Sequence, residues 1–498
     1  MKSMRLIFCF LLALSPLLSA ADKLPVVRVN VTSQAWDFQQ PWGKRGPMTK
    51  RAIGSVVEHN NEARVLVTGD LVQNSTYLEF EVPEGGRKVH AMVEVVDYEA
   101  NLALLKTEDA EFLKDVPRLA VGESAIGDQL DVWQLENNGR LLVTTGIMTT
   151  AETSAYPLEG SLLTYKATVR MQSRDSSFTL PVVNRGKLTG VVMSYDSQSS
   201  NANLIPAPVI QHFLKDAADG TYEGFPRGGY TFSPMRDPAL RRYAKGLDVT
   251  NGGILITETI RNGAVERAGL RKGDVLLAVN EFAVDRDGNF DDPTYGRIAL
   301  GHLLSTRHFV GDKVDFHILR DGKRETVQIT LGHKAPHEYV SDPYILDTPP
   351  RFIVVGGLIL QELSRQYLRE FAGPGERGRR APDRLTYYDR YQNELFGGAR
   401  KKIVFLSRVL PTPATIGYED LSALVVSKIN GVQLQSLDDV PKALAQPVNG
   451  FHEVDFTEDP SRIYLDANQT PEIDKLVQSQ YRLPALKHLE SADVIKNE

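Results

Sequence analysis

From Val26 to about Val209, apolar positions come in short runs: Val65-Leu66-Val67, Tyr77 to Val82, Ala91 to Val96 and Leu102 to Leu105. The runs are β-branched or alternating, and turn-forming clusters separate them, among them Glu84-Gly85-Gly86, Asn137-Asn138-Gly139 and Asn184-Arg185-Gly186. Many short strands at regular spacing predict a barrel or a sandwich. A helix over Pro208 to Lys215 closes this region, and the Gly- and Pro-rich stretch after it is expected to be a linker. A second unit opens on Gly252-Gly253-Ile254-Leu255-Ile256. It continues through Ala268-Gly269-Leu270-Arg271-Lys272-Gly273-Asp274 to Leu276-Leu277-Ala278-Val279-Asn280, with a helical stretch over Arg297 to Thr306. Alternating runs Val314 to Arg320 and Thr326 to Leu331, broken at Asp321-Gly322, predict a hairpin. A third unit repeats the second loosely. Ile403 to Leu410, Val425 to Val432 and a helix near Leu437 to Leu444 stand in the same order, and Ile429-Asn430-Gly431 parallels the end of the Leu276 to Asn280 run. That parallel suggests an internal duplication. The chain thus divides into residues 22–219, a linker 220–238, a unit 239–333, a linker 334–349 and a unit 350–492. A polar, basic insertion, Gly373 to Arg384 with Arg377-Gly378-Arg379-Arg380, is expected as an exposed loop.

Lys2 and Arg5 precede an apolar run from Leu6 to Leu18, followed by Ser19-Ala20-Ala21-Asp22. A basic start, a short apolar stretch and small residues before a charge predict a secretory signal peptide over 1–21. The run is shorter than the ~20 residues of a membrane-spanning helix, and no second apolar span follows. The product is expected to be exported, to a periplasm or cell surface, without a membrane span after cleavage. Loss of Lys2 and Arg5 with the leader takes the formal charge from −6 to −8, which argues against a nucleic-acid binder. The single cysteine, Cys9, lies in the leader, so the mature chain has no disulfide, thiol nucleophile or thiolate ligand. The 10 histidines show no His-Glu-x-x-His spacing, and neither a metal nor a cofactor is expected.

The second unit resembles a PDZ domain. Such domains take up an extended peptide as an added strand and capture its terminal carboxylate with backbone amides. On that resemblance Gly253, Ile254, Leu255 and Ile256 are the candidate peptide-binding residues. With this domain placed, residues 22–219 resemble the trypsin-like double β-barrel of the HtrA/Deg serine proteases. Asp97 to Lys106 is similar to the family segment ending in the catalytic aspartate and Leu-Ala-Leu-Leu, and Pro181 to Val192 to the strand pair after the catalytic serine. The third unit, with Gly356-Gly357-Leu358, Gly417-Tyr418 and Ile429-Asn430-Gly431, is similar to the second, degenerate PDZ-like domain of the plant-organelle type. The fold class implied is mainly β, a double β-barrel followed by two PDZ-like α+β domains.

Read residue by residue, the resemblance places Asp70 at the family's catalytic histidine, Asn101 at the aspartate and Phe178 at the serine. Phe178 has no nucleophilic atom. A serine hydroxyl needs an adjacent base that a third group orients, and Asp70, an ordinary carboxylate with a pKa near ~3.9, is a feeble one. Thr179 and Leu180 replace the paired glycines that supply oxyanion-hole amides. A shift of the loop by a residue or two would bring Ser176 or Ser177 to the nucleophile position while leaving Asp70 and Asn101 unchanged. The expectation is an exported pseudoprotease, in the orbit of protein quality control, that binds peptide C-termini or unfolded segments as scaffold, adaptor or chaperone. The resemblance implies a homotrimer or larger assembly. The alternatives are a serine endopeptidase with a rearranged site, and a structural envelope protein whose groove is closed.

Overall fold

A computed structural model describes residues 23–171, 179–244, 252–372, 380–395 and 401–490. The leader, Phe178 with Ser176 and Ser177, and the Arg377-Gly378-Arg379 run lie outside the described residues.

The first half is two barrels. In the first, seven strands pair in the order Lys88–His90, Ser75–Glu81, Val26–Ser33, Met48–His59, Glu62–Val67, Leu102–Lys106 and Met92–Asp97. The two terminal strands are consecutive in the chain and joined by Ala91 alone, whose N–H donates to Leu78 O at 2.9 Å. One bent strand therefore serves both ends of the sheet and rolls it up. The second barrel is closed, with Ser161–Thr168, Asn201–Pro206, Lys187–Asp196, Pro181–Asn184, Gln129–Leu135 and Leu141–Ala155 in order around it. Leu102–Lys106 explains itself by position. Ala103 and Leu105 join the core of the first barrel, while Leu102 and Leu104 join the core shared with the second. A strand buried on both faces needs a continuous apolar run rather than an alternating one.

Helix Ala207–Asp216 follows, as expected for Pro208 to Lys215. The next sheet starts earlier than the sequence suggested. Tyr230–Pro234, expected in the linker, is its first strand, followed in the sheet by Ile254–Thr259, Val275–Val279, Lys313–Arg320 and Lys323–Thr330, with Phe282–Ala283 on the side. Arg297 to Thr306 is only partly helical: Gly296–Ala299 pairs with Asn289–Asp292, and the helix is Leu300–Ser305. The hairpin turns at Asp321-Gly322, both with positive φ, the type I′ signature of that dipeptide.

The third unit has the same sheet order: Leu358–Glu362, Val404–Val409, Leu424–Ile429, Phe451–Phe456 and Arg462–Asp466, with Val432–Gln433 on the side. The correspondence extends to single hydrogen bonds. Asn280 and Asn430 both have left-handed φ, 49° and 52°. Each takes a backbone N–H on its side-chain oxygen, from Asp315 and Glu453 respectively, at 2.8 Å. Each also returns its own N–H to the same partner's carbonyl at 2.8 Å. Such a shared, specific turn is what a duplicated module retains. One difference matters. Tyr230–Pro234 ends its sheet, whereas Leu358–Glu362 is paired on its outer side by Phe352–Val355, and that strand by Lys487–His488.

Candidate functional site

Asp70 and Asn101 come together as the resemblance implies. Asp70 lies in the single turn Gly69–Val72 at the end of the Glu62–Val67 strand. Asn101 precedes Leu102–Lys106 at φ 53°, a left-handed conformation that Asn tolerates better than most residues. The N–H of Asp70 donates to Asn101 Oδ1 at 2.8 Å. A Cβ on Gly69 would stand 3.2 Å from Asp97 O and 3.4 Å from Asn101 C, so the two loops touch. Lys50 Nζ donates to Asp70 O at 3.2 Å.

The third wall is Thr179, which the sequence marked only as a lost glycine. It is buried, its N–H donates to Val192 O at 2.7 Å, and its Oγ1 accepts the Thr68 N–H at 3.0 Å. Its φ of 57° is an outlier for a β-branched residue, so the backbone keeps a glycine-like shape while the hydroxyl fills the space. Three buried atoms, Thr68 Oγ1, Asp70 Oδ1 and Asn101 Nδ2, have no hydrogen-bond partner among the described residues. Carboxylate, amide and hydroxyl are thus gathered with no imidazole among them. Asn101 accepts a backbone N–H on its side-chain oxygen, and the Asp70 carboxylate stands where the resemblance implies an imidazole base. Among the described residues no group of three His, Cys, Asp or Glu is placed to hold a metal.

Behind Asn101, the same turn is fastened to the later units. Asp97 accepts the N–H groups of Glu99 and Ala100 and the Tyr222 hydroxyl. Glu99 Oε2 meets Arg227 at 2.5 Å and His333 Nε2 at 3.1 Å. Burial alone would raise the Glu99 carboxyl and lower the His333 imidazole; facing each other, with Arg227 beside Glu99 and Asp97 near His333, they are held below and above their ordinary values respectively, Arg227 opposing the rise of His333.

The peptide site expected from the sequence needs correction. Ile254 and Ile256 are buried, and their strand is internal, with Tyr230–Pro234 on one side and Val275–Val279 on the other. Ile256 N–H donates to Asp274 O, and Gly253 N–H to Val284 O, each at 2.8 Å. Neither the edge of Gly253-Ile254-Leu255-Ile256 nor its leading amide is free. Gly253 is needed for another reason: at φ 111° its added Cβ would stand 3.0 Å from both Leu277 and Val275 side chains. The strand that ends the sheet on the side of Ile254–Thr259 is Tyr230–Pro234, entered through Gly228-Gly229. Helix Leu300–Ser305 lies beside that turn, with Leu304 Cδ1 3.3 Å from where a Gly228 Cβ would be. Gly356-Gly357-Leu358 precedes the corresponding strand of the third unit, and this repeated Gly pair is the signal that could have placed the edge.

Residues 229–331 and 342–488 each match a PDZ domain family. The chain is 28% identical over 420 residues to "Protease Do-like 2, chloroplastic" of Arabidopsis thaliana, covering 83% of this chain and 66% of that protein, just under two thirds of its length. It is 26% identical over 455 residues to "Protease Do-like 4, mitochondrial" of the same plant, covering 85% and 80%. A solved structure, "HtrA-type protease AlgW with decapeptide", aligns with a TM-score of 0.47 at 18% identity, over 63% of this chain and 97% of that one. No helix among the described residues is long and apolar enough to cross a membrane.

Proposed function

We propose that this chain, which matches two PDZ domain families and is similar to the Do-like proteases, keeps the peptide capture of HtrA/Deg proteins without their hydrolysis. The observation that carries this reading is the Asp70–Asn101 bond. It spends the aspartate position on a backbone amide, beside a carboxylate where the base should be. Peptide capture is assigned to the Tyr230–Pro234 edge of the first PDZ module, where an incoming strand would find unpaired backbone, with the Gly228-Gly229 turn at its head for a terminal carboxylate. The third unit is a poorer candidate, since its equivalent strand is already covered by Phe352–Val355. Scaffold, adaptor or chaperone work follows from capture without cleavage. Export through residues 1–21 and assembly as a homotrimer or multiple belong to the same reading, and mass spectrometry of the exported protein should find its N-terminus at Ala21 or Asp22.

Two measurements test it together. Purified protein should neither cleave casein nor label with a fluorophosphonate, and peptides with a free C-terminus should bind more tightly than their amides in calorimetry. Turnover that disappears in a Ser176→Ala/Ser177→Ala variant would replace this reading with the endopeptidase. Absence of any peptide binding would favour the structural protein.

A further inference from the structure

A cavity of about 330 Å³ lies on the seam between the second barrel and the first PDZ module. One wall is helix Ala207–Asp216, whose Pro208, Gln211, His212 and Lys215 share a face at i, i+3, i+4 and i+7 spacing. The other wall comes from the PDZ module and includes Tyr295, His302, Thr306 and Arg307. The two walls are already joined nearby, since Tyr165 of the barrel and Tyr295 share a hydroxyl–hydroxyl bond of 2.9 Å.

The walls carry unmet hydrogen-bonding capacity. His212 Nδ1 lies 3.2 Å from Thr306 O. A carbonyl only accepts, so Nδ1 bears the proton and Nε2 is left as a bare acceptor. That Nε2, both ring nitrogens of His302 and Thr306 Oγ1 are buried with no hydrogen-bond partner among the described residues. The nearest charge to His302 is Asp292, whose carboxylate stands 3.6 Å from Nε2. Native interiors rarely leave such groups unpaired. Burial pushes both imidazoles down to about 4, so at neutral pH they are uncharged: His212 Nε2 and one ring nitrogen of His302 call for a donor, and the other His302 nitrogen, which carries the proton, for an acceptor. The exposed rim is charged with both signs. Lys215 Nζ sits over the Phe309 ring, 4.8 Å from its centroid. Arg307 pairs with Asp292 through one nitrogen at 2.8 Å, and the carboxylate of Glu123 lies 3.5 Å from the Tyr295 hydroxyl. A simple cation would meet Lys215 and Arg307. A simple anion would meet Glu123 and bring no donors to the imidazoles.

We propose that this cavity binds a small zwitterion, an α-amino acid or a dipeptide, with its ammonium toward Glu123 and the imidazoles and its carboxylate toward Lys215 and Arg307. Because both domains supply walls, the ligand ties the PDZ module to the barrel. The site is separate from the Tyr230–Pro234 edge and does not depend on whether the chain hydrolyses peptides.

The test uses the full chain at neutral pH, with the common L-amino acids and glycylglycine as probes in thermal-shift and calorimetric titrations up to about 10 mM, the weak limit of such sites. At least one should saturate, and its decarboxylated amine and deaminated acid should each bind at least about tenfold more weakly, as loss of one charged contact implies. Lys215→Ala and Glu123→Gln, both at exposed positions, should weaken it by about tenfold or more while circular dichroism stays unchanged. If no probe saturates, the cavity holds only water and the proposal fails. It fails equally if a probe binds and neither variant changes its affinity.

Discussion

Acid should loosen the seam between barrel and PDZ module, and His212 is where the effect can be measured. Its ring is stacked between Phe225, at 4.2 Å, and Phe309, at 4.1 Å, and only 4% of its surface is exposed. Burial is the main cause of its lowered pKa, about 4. Lys215 lowers it further, while the Thr306 carbonyl and Asp312 oppose. An imidazole whose folded pKa lies below its unfolded value near ~6.5 contributes stability above that value, and loses it as pH falls toward the folded one. The linkage relation gives a contribution lost of about 0.2 kcal/mol at pH 7 and about 2 kcal/mol at pH 5. The second barrel and the PDZ module share one continuous core, so the loss should appear as a single melting transition shifted by roughly 4–8 °C. Carboxyls complicate the raw curve. Asp342, raised to about 6 by burial against the opposing pull of Lys402, gains stability as pH falls. The comparison is therefore with His212→Phe, which keeps the stack and removes the titration. Melting from pH 7 to pH 5 should cost the wild type about 2 kcal/mol more than the variant. Parallel pH profiles for the two proteins would refute the reasoning.

Thr179→Ala keeps the left-handed backbone and loses the bond from the buried Thr68 N–H, so chemical denaturation should show a loss of about 1–3 kcal/mol. Thr179→Gly loses the same bond but relieves the strain, and should be about 1–2 kcal/mol more stable than the alanine variant. Gly253→Val should destabilise the PDZ module itself by about 2 kcal/mol or more, measured by its melting, because the side chain meets Leu277 and Val275 at an unfavourable φ. Asn430→Ala should cost more than Asn280→Ala, by about 1 kcal/mol in denaturant titrations, because Asn430 also donates to Ala443 O at 2.8 Å.

Much of the architecture was legible because the strands of the two barrels carry their own punctuation. Leu102 to Leu105 and the Asp321-Gly322 hairpin were placed from local pattern alone, and the structure agrees. The pairing of Asp70 with Asn101 was legible through the resemblance, because both sit at strand ends that the barrel brings together. Thr179 was less so. A threonine at a former glycine position says that an amide pocket is lost, but not that the backbone will hold its old φ and turn the hydroxyl into an acceptor for Thr68. That depends on the Val192 carbonyl across the strand pair, a contact with no local signature. The histidines of the seam were invisible for the same reason: His212 and His302 are far apart in sequence and meet only when the two domains dock.

Gly253-Ile254-Leu255-Ile256 reads as the peptide edge through the resemblance, as a glycine turn before an apolar strand, and the chain holds a second run of that form. Gly252-Gly253-Ile254-Leu255-Ile256 and Gly228-Gly229-Tyr230-Thr231-Phe232 each present a glycine pair before an apolar strand, and the former is the more apolar. Strong apolarity marks the strand buried in the middle of the sheet, where Ile254 and Ile256 are covered. The edge is the weaker run, with polar alternation and Pro234 at its end. A proline has no N–H to give to a ladder, which is why it is tolerated at sheet edges and strand ends and rarely at the centre. Phe232 is also 41% exposed there, a large ring left in solvent beside unpaired backbone. In the third unit the corresponding strand, Leu358–Glu362, is wholly buried, because Phe352–Val355 lies along it. The duplicated module thus shows both states of one edge, open in the first copy and occupied by its own chain in the second. Peptide binding should accordingly be abolished by changes in the first copy alone.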